Sequence, residues 1–313
     1  MGVVGPRIRT ALLFATILGL FVVVGGLVGA TLFGSPIAGL SVALGFALLF
    51  NLGTYFLCDR LVLWSNHARI VSEAEAPRLA QIVGEIAPAF GLVRPRLALV
   101  ESETPNAFAT GRDERHAVVA ATVGLLRLLD DRELKGVLAH ELAHIKDRDI
   151  LLMTFAATLA GAISYAAQMV IFGSLFGGRG RGQGENPIVL LLALIGAPIA
   201  ALLIQLAISR SRESRADEVG ATTIGDPLAL ASALGKLETA NLRRPLATGA
   251  AASASLYIVN PFRGSWFAGL FSTHPPIRAR IERLRSMDAR HDYRVPIRAP
   301  GGLLAGAHRT GSP

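Results

Sequence analysis

From Thr10 through Cys58 the chain carries no Asp, Glu, Lys or Arg. A helix needs roughly 20 residues, at ~1.5 Å each, to cross the hydrocarbon core of a bilayer. The stretch is therefore long enough to cross twice, with Gly34, Ser35 and Pro36 as the turn and crossings at Thr10–Phe33 and Ile37–Leu57. Two further uncharged runs follow, Ile150–Gly178 and Pro187–Ser209. Four transmembrane helices are the expectation. Composition agrees, because charged residues make up 17% of the 313 against ~25% in an ordinary soluble domain. With 51% apolar residues, a disordered chain is excluded. Cys58 is the only cysteine, which rules out an internal disulfide and a tetra-cysteine zinc site.

Positive residues favour the cytoplasmic side of a membrane. Arg7 and Arg9 precede the first apolar run, which exceeds the ~7–15 residues of a signal-peptide core. The N-terminus is therefore placed inside. Arg210, Arg212 and Arg215 directly after the fourth run support this, and Arg179 and Arg181 in the outer loop oppose it. The polar blocks on either side of the third and fourth runs then face the same compartment and can build one domain.

In the first block, Leu79, Ile82, Val83 and Ile86 give Glu75–Phe90 helical periodicity, with Gly91 as the stop. Leu97–Val100 and His116–Ala121 read as strands, with a turn over Gly111–Arg115 before the second. In the second block, Asp226 and Pro227 cap a helix to about Asn241, and Pro276 opens another through Arg285. From His291 onward, Pro296, Pro300, Gly301 and Gly302 speak for an irregular tail. The net charge of +8 draws on the many arginines after Arg278. Such a tail suits anionic lipid. No nucleic-acid recognition motif accompanies it, so no nucleic-acid partner is expected.

His140-Glu141-Leu142-Ala143-His144 carries the chemistry. Asp130 and Glu133 have the spacing of a capping box ahead of the apolar positions Leu134, Val137, Leu138, Leu142 and Ile145. Residues four apart share a helix face, so both imidazoles can bind one ion. Glu141 lies near enough to act on a metal-bound water without being a ligand. Catalytic zinc typically takes three protein ligands, and no third histidine follows at a usable spacing. A downstream carboxylate is needed. Glu213, in Ser209–Asp217, follows the fourth run as directly as the histidine helix precedes the third. Asp217, one turn on, is placed to accept a hydrogen bond from a ligand imidazole. The other reading of this segment is a basic juxtamembrane helix whose acids pair with its arginines, and spacing leaves both open.

Four segments together resemble a known family: HELAH at His140–His144, SRSRESRAD at Ser209–Asp217, PNAFATG at Pro105–Gly111 and STHPP at Ser272–Pro276. It is that of the HtpX-like integral-membrane zinc metalloproteases, relatives of the CAAX prenyl proteases. The resemblance covers most of the chain. It implies a mainly α, multi-span membrane protein with a small β-sheet and a zincin-like (gluzincin) catalytic domain. It implies one Zn2+ held by His140, His144 and Glu213, with Asp217 behind them, Glu141 as general base and His274 as a donor to the transition state. Asn106 is implied to bind substrate backbone. Ser214 departs from the family, which usually has an aromatic residue there.

The expected organisation is two transmembrane helices (1–58), a first catalytic part with the zinc-binding helix (59–149), two more transmembrane helices (150–209), a second catalytic part (210–290) and a basic tail (291–313). The expected activity is peptide-bond hydrolysis on unfolded or damaged membrane proteins. It takes place at the cytoplasmic face of the cell (inner) membrane, with an extended substrate added as a strand to the sheet edge. Two alternatives stand beside it, a prenyl-protein type membrane protease and a non-catalytic zinc-binding membrane protein. A prenyl-protein protease generally has more spans than the four counted here.

Overall fold

The computed structural model describes residues 15, 19, 22, 36–151, 153–154, 210–243, 258 and 276–290. The segments expected to cross at 10–33, 150–178 and 187–209 lie almost wholly outside these residues, as do His274 and the tail. Part of the side chains of the second expected crossing is described. Among the described residues, no helix is long and apolar enough to cross a membrane.

The described part is mainly helical with one small mixed sheet. Helix α1, Pro36–Ser65, runs into strand β1, Ala68–Val71. Then come α2, Pro77–Ile86, with a 3-10 turn over Ala87–Phe90, and the strands β2, Arg96–Val100, β3, Ala107–Thr110, and β4, Val118–Thr122. Helices α3, Val123–Leu128, and α4, Asp131–Lys146, follow. The second block supplies α5, Arg210–Ile224, α6, Pro227–Arg243, and α7, Ile277–Arg290.

Several boundaries differ from the sequence reading. Helix α1 does not stop at Leu57 but carries Asp59 and Arg60, so the expected domain boundary at 58/59 falls inside it. Asp59 is buried there beside Arg96, at 3.5 Å, which lets the helix continue past its last apolar turn. The helix expected over Glu75–Phe90 begins at Pro77, and its last turn tightens to 3-10 at Pro88, which has no N–H for an α-helical bond. The strand expected from His116 begins at Val118, because Asp113 Oδ1 accepts the His116 N–H and holds that residue in a turn. Helix α7 runs five residues past Arg285.

The sheet order is β1-β2-β4-β3, with β1 and β3 antiparallel to their neighbours and β2 parallel to β4. Alternation sorts its side chains onto two faces. Leu97, Ala107, Ala109, Val119 and Ala121 pack into the core with α2 and α4. Ala98, Val100, Phe108, Val118 and Ala120 pack with Val62 and Leu63 of α1 and with Met153. The sheet thus lies between the helix bearing the histidines and the roots of two apolar segments.

Helix α4 has the capping box expected of it: Asp130 accepts the Glu133 N–H, and Glu133 reaches back to the Asp130 N–H. Glu133 is buried and also takes Ser232 Oγ at 2.7 Å and Lys236 Nζ at 2.6 Å, tying α4 to α6. Two glycines let helices approach closely. A Cβ on Gly136 would stand 2.6 Å from Leu230 N, and one on Gly220 would stand 3.0 Å from His140 N. The second contact sets α5 against the turn of α4 that carries the first histidine.

Candidate metal centre

His140 and His144 project from the buried face of α4 toward α5, and Glu213, in the first turn of α5, points back at both. The two Nε2 atoms are 3.3 Å apart. Glu213 Oε1 is 3.5 Å from His144 Nε2, and its Oε2 is 3.7 Å from His140 Nε2. Three ligands at ~2.0–2.1 Å around a tetrahedral zinc ion stand about 3.3 Å from one another. Two imidazoles and one carboxylate at these spacings fit such an ion, and they fit zinc's preference for nitrogen and oxygen donors. Of the two readings that spacing left open, the geometry favours the one that turns Glu213 toward the histidines. Glu213 is 1% exposed and faces the histidines, while Arg215 pairs instead with Asp147 at 2.5 Å.

Glu141 is buried beside this triad, accepting the Ala109 N–H, and burial pushes its carboxyl up to about 7. Burial works against charge at His144 too, yet Asp149 and Glu213 outweigh it and raise that imidazole to about 10. At His140 burial prevails over the Asp217 hydrogen bond and holds that imidazole below its usual range.

Behind His140, Asp217 Oδ1 lies 3.0 Å from Nδ1, as its spacing had suggested. A carboxylate at this distance fixes the tautomer and ring orientation of a metal histidine. Arg280 completes the arrangement and was not foreseen. It is 0% exposed, bonds Asp217 through Nε at 2.9 Å and Nη2 at 2.7 Å, and stands 3.7 Å from Glu213 Oε2. Against the burial of Asp217, this guanidinium and the His140 hydrogen bond hold its carboxyl down at about 2. The signal for Arg280 was present in the sequence: it stands in register with Leu284 and Met287 on the buried stripe of α7. Removing one partner of a buried ion pair strands the other, at a cost of about 3–5 kcal/mol. Arg280→Met is expected to lose stability of that size, read from denaturant unfolding, and an unchanged midpoint would rule out the pair as a structural tie.

The remaining candidates fall out differently. Asn106 is fully buried, and its Oδ1 accepts the Ala107 N–H at 3.1 Å. Its amide oxygen is thus engaged by its own chain, where a substrate contact was implied. Strand β3 is a sheet edge as the substrate reading requires, but two of its outward polar groups are in use. The Ala107 carbonyl accepts the Ile258 N–H at 3.3 Å, and the Ala109 N–H serves Glu141. Among the unassigned histidines, His67 is exposed and His116 is half-buried against Asp113 at 2.7 Å.

Comparison with known proteins identifies the family of the chain. The model of peptidase family M48 matches residues 73–288, the stretch that contains His140, Glu141, His144, Glu213, Asp217 and Arg280. The Protease HtpX homolog of Thermococcus kodakarensis is 53% identical, over 90% of this chain and 95% of that protein. Those of Pyrococcus furiosus (51%) and Syntrophobacter fumaroxidans (47%) align over 91% and 90% of this chain, and over 96% and 100% of their own lengths. The crystal structure of S. mikatae Ste24p is a more distant likeness, at 17% identity and a TM-score of 0.47 over 89% of this chain and 65% of that one. A family match spanning the histidine helix, the glutamate helix and the arginine that joins them leaves one conclusion: this chain belongs to peptidase family M48 and is a metalloprotease.

Proposed function

We propose that the chain is a membrane-embedded zinc metalloendopeptidase in which His140, His144 and Glu213 hold one zinc ion and Glu141 is the general base. The observation that carries this reading is the convergence of two Nε2 atoms and a carboxylate on one buried point, with Glu141 beside it. Zinc, when bound there, supplies Lewis-acid polarisation of a carbonyl and an acidified water. Glu141, shifted by burial toward neutrality, is suited to take a proton from water and return it to the leaving amine. Asp217 and Arg280 keep His140 in register throughout. His274, which lies outside the described residues, serves in this reading as the donor to the oxyanion.

The substrate in this reading is an extended segment of an unfolded or damaged membrane protein, a quality-control role. Such a segment joins the edge of β3, where it competes with the Ile258 amide for the Ala107 carbonyl. A groove of about 860 Å3 beside Pro105, lined also by Arg127, Lys236 and Ile281, gives room at the start of that strand.

Membrane embedding rests on the uncharged runs and on α1, where Ile37, Val42, Leu49 and Trp64 are each more than two-thirds exposed. Large apolar residues in such number along one helix suit a lipid environment. The centre takes histidines from 59–149 and Glu213 from 210–290, so both blocks share one compartment and an even number of crossings separates them. Two crossings in 150–209 meet that requirement, and the arginines after Ser209 favour the cytoplasmic side. Residues 1–58 supply the other two spans and 291–313 the basic tail.

The reading is tested with purified protein in detergent and an unfolded model substrate. Cleavage is expected to stop on chelation and to return when zinc is restored. Cleavage that persists after the metal is stripped would overturn the assignment.

A further inference from the structure

Each metal histidine has a buried carboxylate behind it, yet only Asp217 has a role so far. Behind His144 stands Asp149, with Oδ2 3.8 Å from His144 Nδ1 and Oδ1 3.8 Å from Arg212 Nη1. All three residues are buried. The layout repeats that of His140, Asp217 and Arg280: a metal histidine, a carboxylate, and a buried arginine beyond it.

A local backbone device brings Asp149 there. Helix α4 ends at Lys146, and Arg148 then turns the chain through the left-handed region at φ 59°, which non-glycine residues rarely adopt and which tends to persist at functional sites. The turn lets the Asp149 N–H bond the His144 carbonyl at 3.0 Å. The two residues are thus pinned together through the backbone, and only side-chain torsions separate carboxylate from imidazole. Among the described residues, His144 Nδ1 has no other hydrogen-bond partner. The Asp149 carbonyl also accepts the Met153 N–H at 3.0 Å, opening the helical turn that begins at Ile150.

We propose that Asp149 is a positioning residue for His144: its carboxylate, braced by Arg212, accepts the Nδ1 proton and so presents Nε2 to the metal. The inference rests on the reading of His144 as a metal ligand. Metal histidines almost always donate their second ring N–H, and losing that acceptor weakens metal binding roughly 10–100-fold. The competing role is a plain helix cap, which Ser or Asn would fill about as well as Asp.

The test measures zinc affinity by chelator competition on the full chain in detergent. It adds the absorption spectrum of the Co2+-loaded protein and the thermal midpoint after chelation. Asp149→Ser keeps the cap but is too short to reach the imidazole. It is expected to bind zinc roughly 10–100-fold more weakly and to shift the Co2+ spectrum, while the chelated midpoint falls because buried Arg212 loses this anion. Asp149→Asn, which still offers an oxygen, is expected to fall between Ser and wild type. Wild-type affinity and spectrum in Asp149→Ser would overturn the proposal, as would a lowered midpoint with unchanged affinity. Should the Ser variant not fold, Asp149→Asn decides alone: weaker zinc binding with a shifted Co2+ spectrum supports the proposal, and wild-type affinity overturns it. A wild type that binds no zinc, or His144→Ala binding as tightly as wild type, would instead sink the metal reading and the inference with it.

Discussion

Glu141→Gln is expected to cut peptide-bond cleavage by roughly 10²–10⁴-fold, the usual contribution of a general base, while leaving zinc content unchanged. Gln has the size of Glu and cannot take a proton from water, and Glu141 is not among the three converging ligands. Stability is expected to move the other way. Burial raises the Glu141 carboxyl from 4.5 to about 7, so the folded chain resists ionising it. Below pH 4.5 both folded and unfolded chains hold the proton and there is no penalty. Between 4.5 and 7 the unfolded chain ionises first and the penalty grows. Above about pH 7 it levels off at about 3 kcal/mol. Gln carries no such charge, so the chelated variant is expected to melt higher than chelated wild type at pH 8 and equally at pH 4. Retained activity would remove Glu141 from its role. A variant that melts lower at pH 8 would show that its charge is not a burden on the fold.

Glu213→Ala is the second large effect. It removes the carboxylate that faces both imidazoles at 3.5 and 3.7 Å, and zinc affinity is expected to fall by more than the roughly 10–100-fold that follows loss of an outer hydrogen-bond partner. Activity falls with it. Arg280, 3.7 Å from Glu213 Oε2, loses one anion but keeps its two bonds to Asp217, so the fold is expected to survive chelation about as well as wild type. Equilibrium competition for zinc checks the first expectation and chelated melting the second. Zinc affinity within a few-fold of wild type would mean that the third ligand lies elsewhere.

The histidine helix was legible because everything that defines it is local. The Asp130–Glu133 capping box, the apolar positions and the four-residue spacing of the imidazoles all sit within one run of the chain. The cap at Asp226 and Pro227 was legible for the same reason, as Asp226 Oδ1 accepts the Ala229 N–H at 3.0 Å. Strands β1 and β3 carry no such local signal. Each is four residues long, and β3 is buried on both faces, so it shows no alternation of polar and apolar positions. Its existence depends on pairing with β4. Helix α3, six residues long, is too short to show a helical period.

Sequence by itself determined which residues could form the centre: two histidines and a glutamate on one helix, a carboxylate-bearing segment after the last uncharged run, and the runs that separate them. Tertiary structure alone decided which carboxylate turns inward. In Ser209–Asp217, acids and arginines alternate closely enough to pair with one another. The close approach of α5 to α4 at Gly220 brings Glu213 and Asp217 to the histidines and leaves Arg215 outside with Asp147. The same packing drew Arg280 into the centre. Its role depends on contacts across elements far apart in the chain, and helix periodicity or spacing carries information only about neighbours within one element.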